Sequence, residues 1–141
     1  MNTELAAAAI IAVLGIIQVM LPAIEYRRVH GIAYANTARD APPPQPDSVL
    51  YGRLSRAQAN LMETAPYFIA LALIVTVAGS STQITQIASL VFVASRILYL
   101  PLYALGTPYV RGLIWTISLA ALIALAAGAL TAINWAFVLQ V

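Results

Sequence analysis

The chain has 141 residues, of which 62% are hydrophobic and only 9% charged, with a mean hydropathy of +0.87. A soluble domain carries about 25% charged residues, so the composition excludes an ordinary globular domain and implies an integral membrane protein. The formal charge of +2 does not mark a nucleic-acid binder, because the basic groups gather at one membrane face, and the absence of cysteine excludes disulfides, thiolate catalysis by the chain itself and cysteine-ligated metals.

Four apolar runs are long enough to cross roughly 30 Å of hydrocarbon: 5–24, 57–78, 84–104 and 112–138. The first has Glu4 where a signal peptide would carry a basic region, and its apolar run is longer than a signal core, which predicts a retained span. Between the first two spans lies a long loop, 25–56. Pro42, Pro43, Pro44 and Pro46 hold its centre extended; segment 39–47 reads equally as a stiff linker or as a lid or wall over that end of the bundle. His30, next to loop arginines, reads as a solvated loop residue, and no metal cluster is predicted. Gly79-Ser80-Ser81-Thr82 is a hairpin turn.

In the third span Pro101 predicts a kink near 97–100. In the fourth, Thr116, Ala120, Ala124 and Gly128 recur every four residues as a small-residue ridge, while Trp115 and Trp135 suit an aromatic belt at each interface. The predicted fold is an all-α, four-helix membrane bundle forming a single domain over 1–141. Arg27, Arg28, Arg39, Arg53 and Arg56 flank or occupy the first loop and Arg111 lies between spans three and four, so the positive-inside rule puts both loops in the cytoplasm and both termini outside. Alanine-rich spans with short turns point to a bacterial inner membrane.

Polar residues inside apolar spans are costly and mark function by default. At about 100° per residue, Arg53, Arg56, Asn60, Glu63 and Tyr67 share one sector of the second helix, read as a stripe turned inward. Ser89, Phe92, Arg96, Tyr99 and Tyr103 share a face of the third. Arg96 therefore pairs with Glu63 as a helix–helix tie, or both reach a ligand.

GRLSRAQANLMETAPYF (52–68) and ASRILYLPLYALGTPYVRGLIW (94–115) resemble the family of membrane-associated proteins in eicosanoid and glutathione metabolism. The specific part is Arg56-Ala57, Asn60 and Glu63, followed by Pro66; the looser part is Arg96, Tyr103 and an arginine at the foot of span four. The resemblance implies a homotrimer holding glutathione between neighbouring subunits. It implies Arg56, Gln58, Asn60, Glu63, Arg96, Tyr99 and Tyr103 as ligand contacts, with Arg53 on the same stripe, and Arg111 as the stabiliser of the glutathione thiolate. One of Arg27, Arg28 or Arg39 is a further candidate contact from the loop.

The chemistry is coherent: arginine forks suit carboxylates, Glu63 suits the ammonium, and Asn60 and the tyrosines suit amides. A free thiol has a pKa of about 8.5, and lowering it by two units takes about 2.7 kcal/mol of preferential anion stabilisation, which one cation can supply. Thr64 and Gly112 depart from branches that carry tyrosine and serine there, which argues against a prostaglandin- or leukotriene-specific activity. The expected function is a glutathione-dependent membrane transferase or peroxidase acting on a lipophilic substrate drawn from membrane lipid. The alternatives are a non-catalytic lipid- or partner-binding member of the same fold and a small multidrug exporter built around Glu63.

Overall fold

The computed structural model describes residues 2–131 and 133. It consists of four helices, α1 (Thr3–Ala35), α2 (Val49–Val77), α3 (Gln83–Leu105) and α4 (Pro108–Thr131), each containing a stretch long and apolar enough to span a bilayer. The helices run alternately up and down. The 36–48 connection and the Gly106-Thr107 link lie at one end (the loop end), and the 78–82 turn and the start of α1 lie at the other (the turn end). Trp135 and the last residues of the predicted fourth span lie outside the described residues.

Helix boundaries follow caps rather than apolar runs. Ser48 Oγ accepts from Tyr51 N at 3.0 Å, so α2 begins eight residues before the predicted span and carries Arg53 and Arg56 on regular helix. Thr82 and Thr85 form a reciprocal capping box that starts α3 directly after the turn. Gly106, at φ 77° and ψ 34°, ends α3 in the left-handed conformation that glycine adopts most readily. Pro108 then opens α4, where a missing amide donor costs nothing. Pro101 lies within α3, which continues as one helix to Leu105. The break occurs instead in α1, at Gly31 (φ 82°, ψ 153°).

The core is dry and interlocked: Phe68 of α2 stacks on Phe92 of α3 at 4.3 Å and 7°, with Ile11, Leu61, Val75 and Leu125 at 0–1% exposure around them. In lipid such contacts act through dispersion and close packing, because apolar surface gains nothing by leaving lipid tails. The buried stripe of α1 also holds polar groups at a seven-residue interval: Glu4, Ile11, Gln18 and Glu25, all within 5% exposure. On α4 the small-residue ridge is offset from the buried face, which is formed by Ser118, Ala121, Leu122, Leu125 and Ala129. Gly128 is the ridge member that packs tightest, since a Cβ there would stand 2.4 Å from Thr85 Cγ2.

The 36–48 connection is strapped along the loop end of α1. His30 Nε2 meets Asp47 Oδ1 at 2.7 Å, Tyr34 Oη donates to Ala41 O at 2.7 Å, the Gln45 amide donates to Val29 O, and Ser48 Oγ donates to Glu25 Oε1. Burial, reinforced by the neighbouring Tyr26 phenol, holds the Tyr34 hydroxyl above its ordinary pKa, so it stays a donor to Ala41. His30 is 6% exposed and packs against Tyr26 and Tyr34, not solvated as its neighbours in sequence suggest. It is buried because α1 continues past its apolar run and the connection folds back onto it.

Candidate functional site

At the loop end, α2, α3 and α4 bring together most of the polar groups predicted as a site. Arg96 lies at its centre, 1% exposed, between the faces of Phe92 (5.1 Å) and Tyr99 (5.7 Å). Its Nη1 donates to Asn60 Oδ1 at 2.6 Å, while Nε and Nη2 are buried without a protein acceptor. Of the two readings of Arg96 and Glu63, the direct ion pair is absent: the ion pairs among the described residues are Arg28–Glu25 and His30–Asp47. Asn60, one turn closer to the loop end than Glu63, takes the guanidinium, and Glu63 is left exposed. A buried guanidinium with two unpartnered donors has capacity for a further acceptor.

Tyr103 organises the mouth. Its ring meets Tyr99 edge-on at 5.4 Å, carries the Arg111 guanidinium at 4.4 Å, and has Arg56 at 5.9 Å. Arg111 projects from the first turn of α4, where the helix dipole adds positive potential. No side-chain hydrogen bond or ion pair commits Arg111, Arg56 or Glu63 among the described residues. The stripe is divided: Arg53 and Asn60 reach α3, whereas Arg56, Glu63 and Tyr67 are exposed on the protomer surface and not turned into the bundle.

Two predicted members have other places. Arg53 donates from Nη1 to Ala104 O at 3.0 Å, capping the last turn of α3, and its guanidinium packs where a Cβ at Gly106 would lie 2.5 Å away. This is a cation on the negative end of a helix, a structural role. Gln58 lies on the opposite face of α2 from Asn60, because two residues on a helix turn by about 200°. It lines a separate polar pocket with Arg27, Arg39 and Tyr26.

Sequence reasoning passed over Glu4, Gln18 and Glu25. Glu4 is fully buried at the turn end, where Oε1 accepts from Thr85 Oγ1 at 2.6 Å and Ser81 Oγ at 2.7 Å. Their seven-residue spacing with Ile11 was the signal, since that period keeps residues on one seam of a packed helix.

The sequence profile of the MAPEG family matches residues 5–131, nearly the whole chain. No curated protein matches it.

Proposed function

The chain belongs to the MAPEG family, and from that premise we propose that it is a glutathione-dependent membrane transferase with Arg111 as the catalytic residue. The observation that carries this reading is the set of uncommitted cations around Tyr103: Arg111 and Arg56 on its ring, and Arg96 behind with two free donors. A tripeptide with two carboxylates, an ammonium and a thiol matches that set together with Asn60, Glu63, Tyr99 and Tyr103. Arg53 and Gln58 stand outside this constellation.

Arg111 and the positive end of α4 hold the glutathione thiol as its anion. The sulfur then attacks an electrophilic carbon of a lipophilic substrate, forming the C–S bond as the leaving group departs with its electron pair. With a hydroperoxide it attacks the terminal oxygen, breaking the O–O bond and releasing the alcohol to leave a glutathione sulfenic acid; a second glutathione thiol then displaces water from that sulfur and closes the disulfide. Tyr103 keeps Arg111 aimed, so the chain contributes orientation and electrostatics while the nucleophile belongs to the co-substrate.

Assembly as a homotrimer fits the outward part of the stripe. Arg56, Glu63 and Tyr67 facing lipid would be costly, whereas a neighbouring protomer with glutathione in the seam covers them. The loop end is cytoplasmic on the arginine distribution, with both termini outside, and we place the protein in a bacterial inner membrane.

Titration of the purified protein with glutathione, followed by ultraviolet thiolate absorbance at neutral pH, tests the proposal. A saturable signal abolished by Arg111→Ala is the expected result. Absence of binding at millimolar glutathione would transfer the fold to a non-catalytic, lipid- or partner-binding role.

A further inference from the structure

Arg56 and Arg111 reach the mouth of the site directly; Arg96 does not. It is 1% exposed and packed between the Phe92 and Tyr99 rings, at 5.1 and 5.7 Å, whose faces carry part of its charge. Its Nε and Nη2 have no acceptor and are sealed from the surface. A ligand docking on the outer side of α2 does not touch them unless side chains of α3 move. The route from Arg96 to the mouth is its third donor, Nη1, committed to Asn60 Oδ1 at 2.6 Å.

A guanidinium only donates, so the end of the Asn60 amide that meets it is the oxygen. The bond is short and charge-assisted, about twice as strong as one between neutral groups. Flipping the amide would set its NH2 against a buried cation that has no other side-chain acceptor. The amide is locked in one orientation. Asn60 is half-buried, with the exposed Arg56 and Glu63 one turn away on either side along α2. Its Nδ2 makes no hydrogen bond among the described residues and, unlike the two spare donors of Arg96, is not sealed. With the oxygen taken, Asn60 has only N–H to offer outward.

We infer that Arg96 is a positioning residue that fixes Asn60 as a pure donor. The ligand atom that meets Asn60 is then an oxygen, of a carboxylate or a peptide carbonyl, and not an N–H. This rests on glutathione as the co-substrate, and it moves Arg96 from the ligand contacts to the layer behind them. The buried charge has a reason: a neutral donor at that place would yield the Asn60 oxygen more easily to water or to the ligand.

A double-mutant cycle on glutathione binding, titrated by thiolate absorbance at neutral pH, tests this. Arg96→Met fills the space between the two rings and removes the donor. It should raise the glutathione Kd about tenfold, while the thiolate signal at saturation, held by Arg111, stays at the parent level. In an Asn60→Ala background, which itself weakens binding, Arg96→Met should add nothing, because its effect passes through that amide. Asn60→Asp keeps an oxygen for Arg96 and removes the donor. It should retain the parent's thermal stability in detergent yet bind glutathione more weakly than Asn60→Ala does. Arg96→Lys, which restores a donor, should recover part of the affinity. Additive effects at Arg96 and Asn60 would overturn the proposal by giving Arg96 its own ligand contact, as would parent-like binding by Asn60→Asp. Loss of the saturating thiolate signal in Arg96→Met would overturn it by placing Arg96 in thiolate stabilisation. A parent chain that binds no glutathione would overturn the transferase reading as well, whereas additivity in a chain that binds overturns the positioning role alone.

Discussion

The two ends of the bundle treat charge in opposite ways. At the turn end Glu4 is sealed from solvent, its Oε1 shared by Thr85 and Ser81 and its Oε2 unpartnered, next to a capping box and the close Gly128–Thr85 approach. At the loop end Arg96 is equally buried yet keeps two donors free, and Arg56, Glu63 and Arg111 make no side-chain hydrogen bond or ion pair among the described residues, Arg56 and Arg111 resting instead on the Tyr103 ring. Each end carries the cost of polar groups in an apolar bundle. Hydroxyls of the same chain reach Oε1 of Glu4 and tie helices together; the open donors of Arg96 instead lie close to further cations with no ion pair, Arg56 and Arg111. Function is read from the loop end.

The contrast breaks most readily at Arg111. Arg111→Ala should lower the thiolate signal of bound glutathione at neutral pH by about 25-fold, the change in ionised fraction for a pKa rising about two units to the free-thiol value of about 8.5 (about 2.7 kcal/mol), while Glu4→Ala leaves that signal in place. If both variants lost it equally, the two ends would not be separable. Glu4→Ala should instead destabilise by about 1–3 kcal/mol by removing the acceptor of two buried hydroxyls. Thermal unfolding in detergent reads that loss, and Glu4→Gln should recover most of it. Gly106→Ala forces a side chain into a left-handed turn and against Arg53, for a loss of about 1–3 kcal/mol. Arg53→Ala, removing the charge on the α3 terminus, should cost about 1 kcal/mol and leave glutathione affinity unchanged; a large fall in affinity would return Arg53 to the ligand set. The smallest effect belongs to Tyr34→Phe, which unties one strap of the 36–48 connection for about 0.5–1 kcal/mol, visible as faster proteolysis of that segment.

Much of the site was legible because helical periodicity is local. Three- and four-residue spacings grouped Asn60 with Arg56 and Glu63, and Arg96 with Tyr99 and Tyr103, and the structure keeps both groupings. The same wheel separates Gln58 from Asn60, and the seven-residue repeat of Glu4, Gln18 and Glu25 was also available. Composition obscured it: an acid near a chain start reads as a surface residue. His30 misled for a related reason, since Arg27 and Arg28 shortly precede it in sequence while Tyr26, Tyr34 and Asp47 enclose it in space.

What the sequence by itself determined is the number of spans and which side chains share a helix face. Apolar run length and a 3.6-residue period require no knowledge of any other helix. What only the tertiary structure decided is which face meets which: that Asn60 and not Glu63 takes Arg96, that Arg53 closes α3, that Tyr103 carries Arg111, and that Arg56, Glu63 and Tyr67 are left on the outer surface. Those outcomes depend on the rotation and axial offset of each helix against the next. Close packing of side chains from distant segments sets both, at Phe68 against Phe92 and at Gly128 against Thr85.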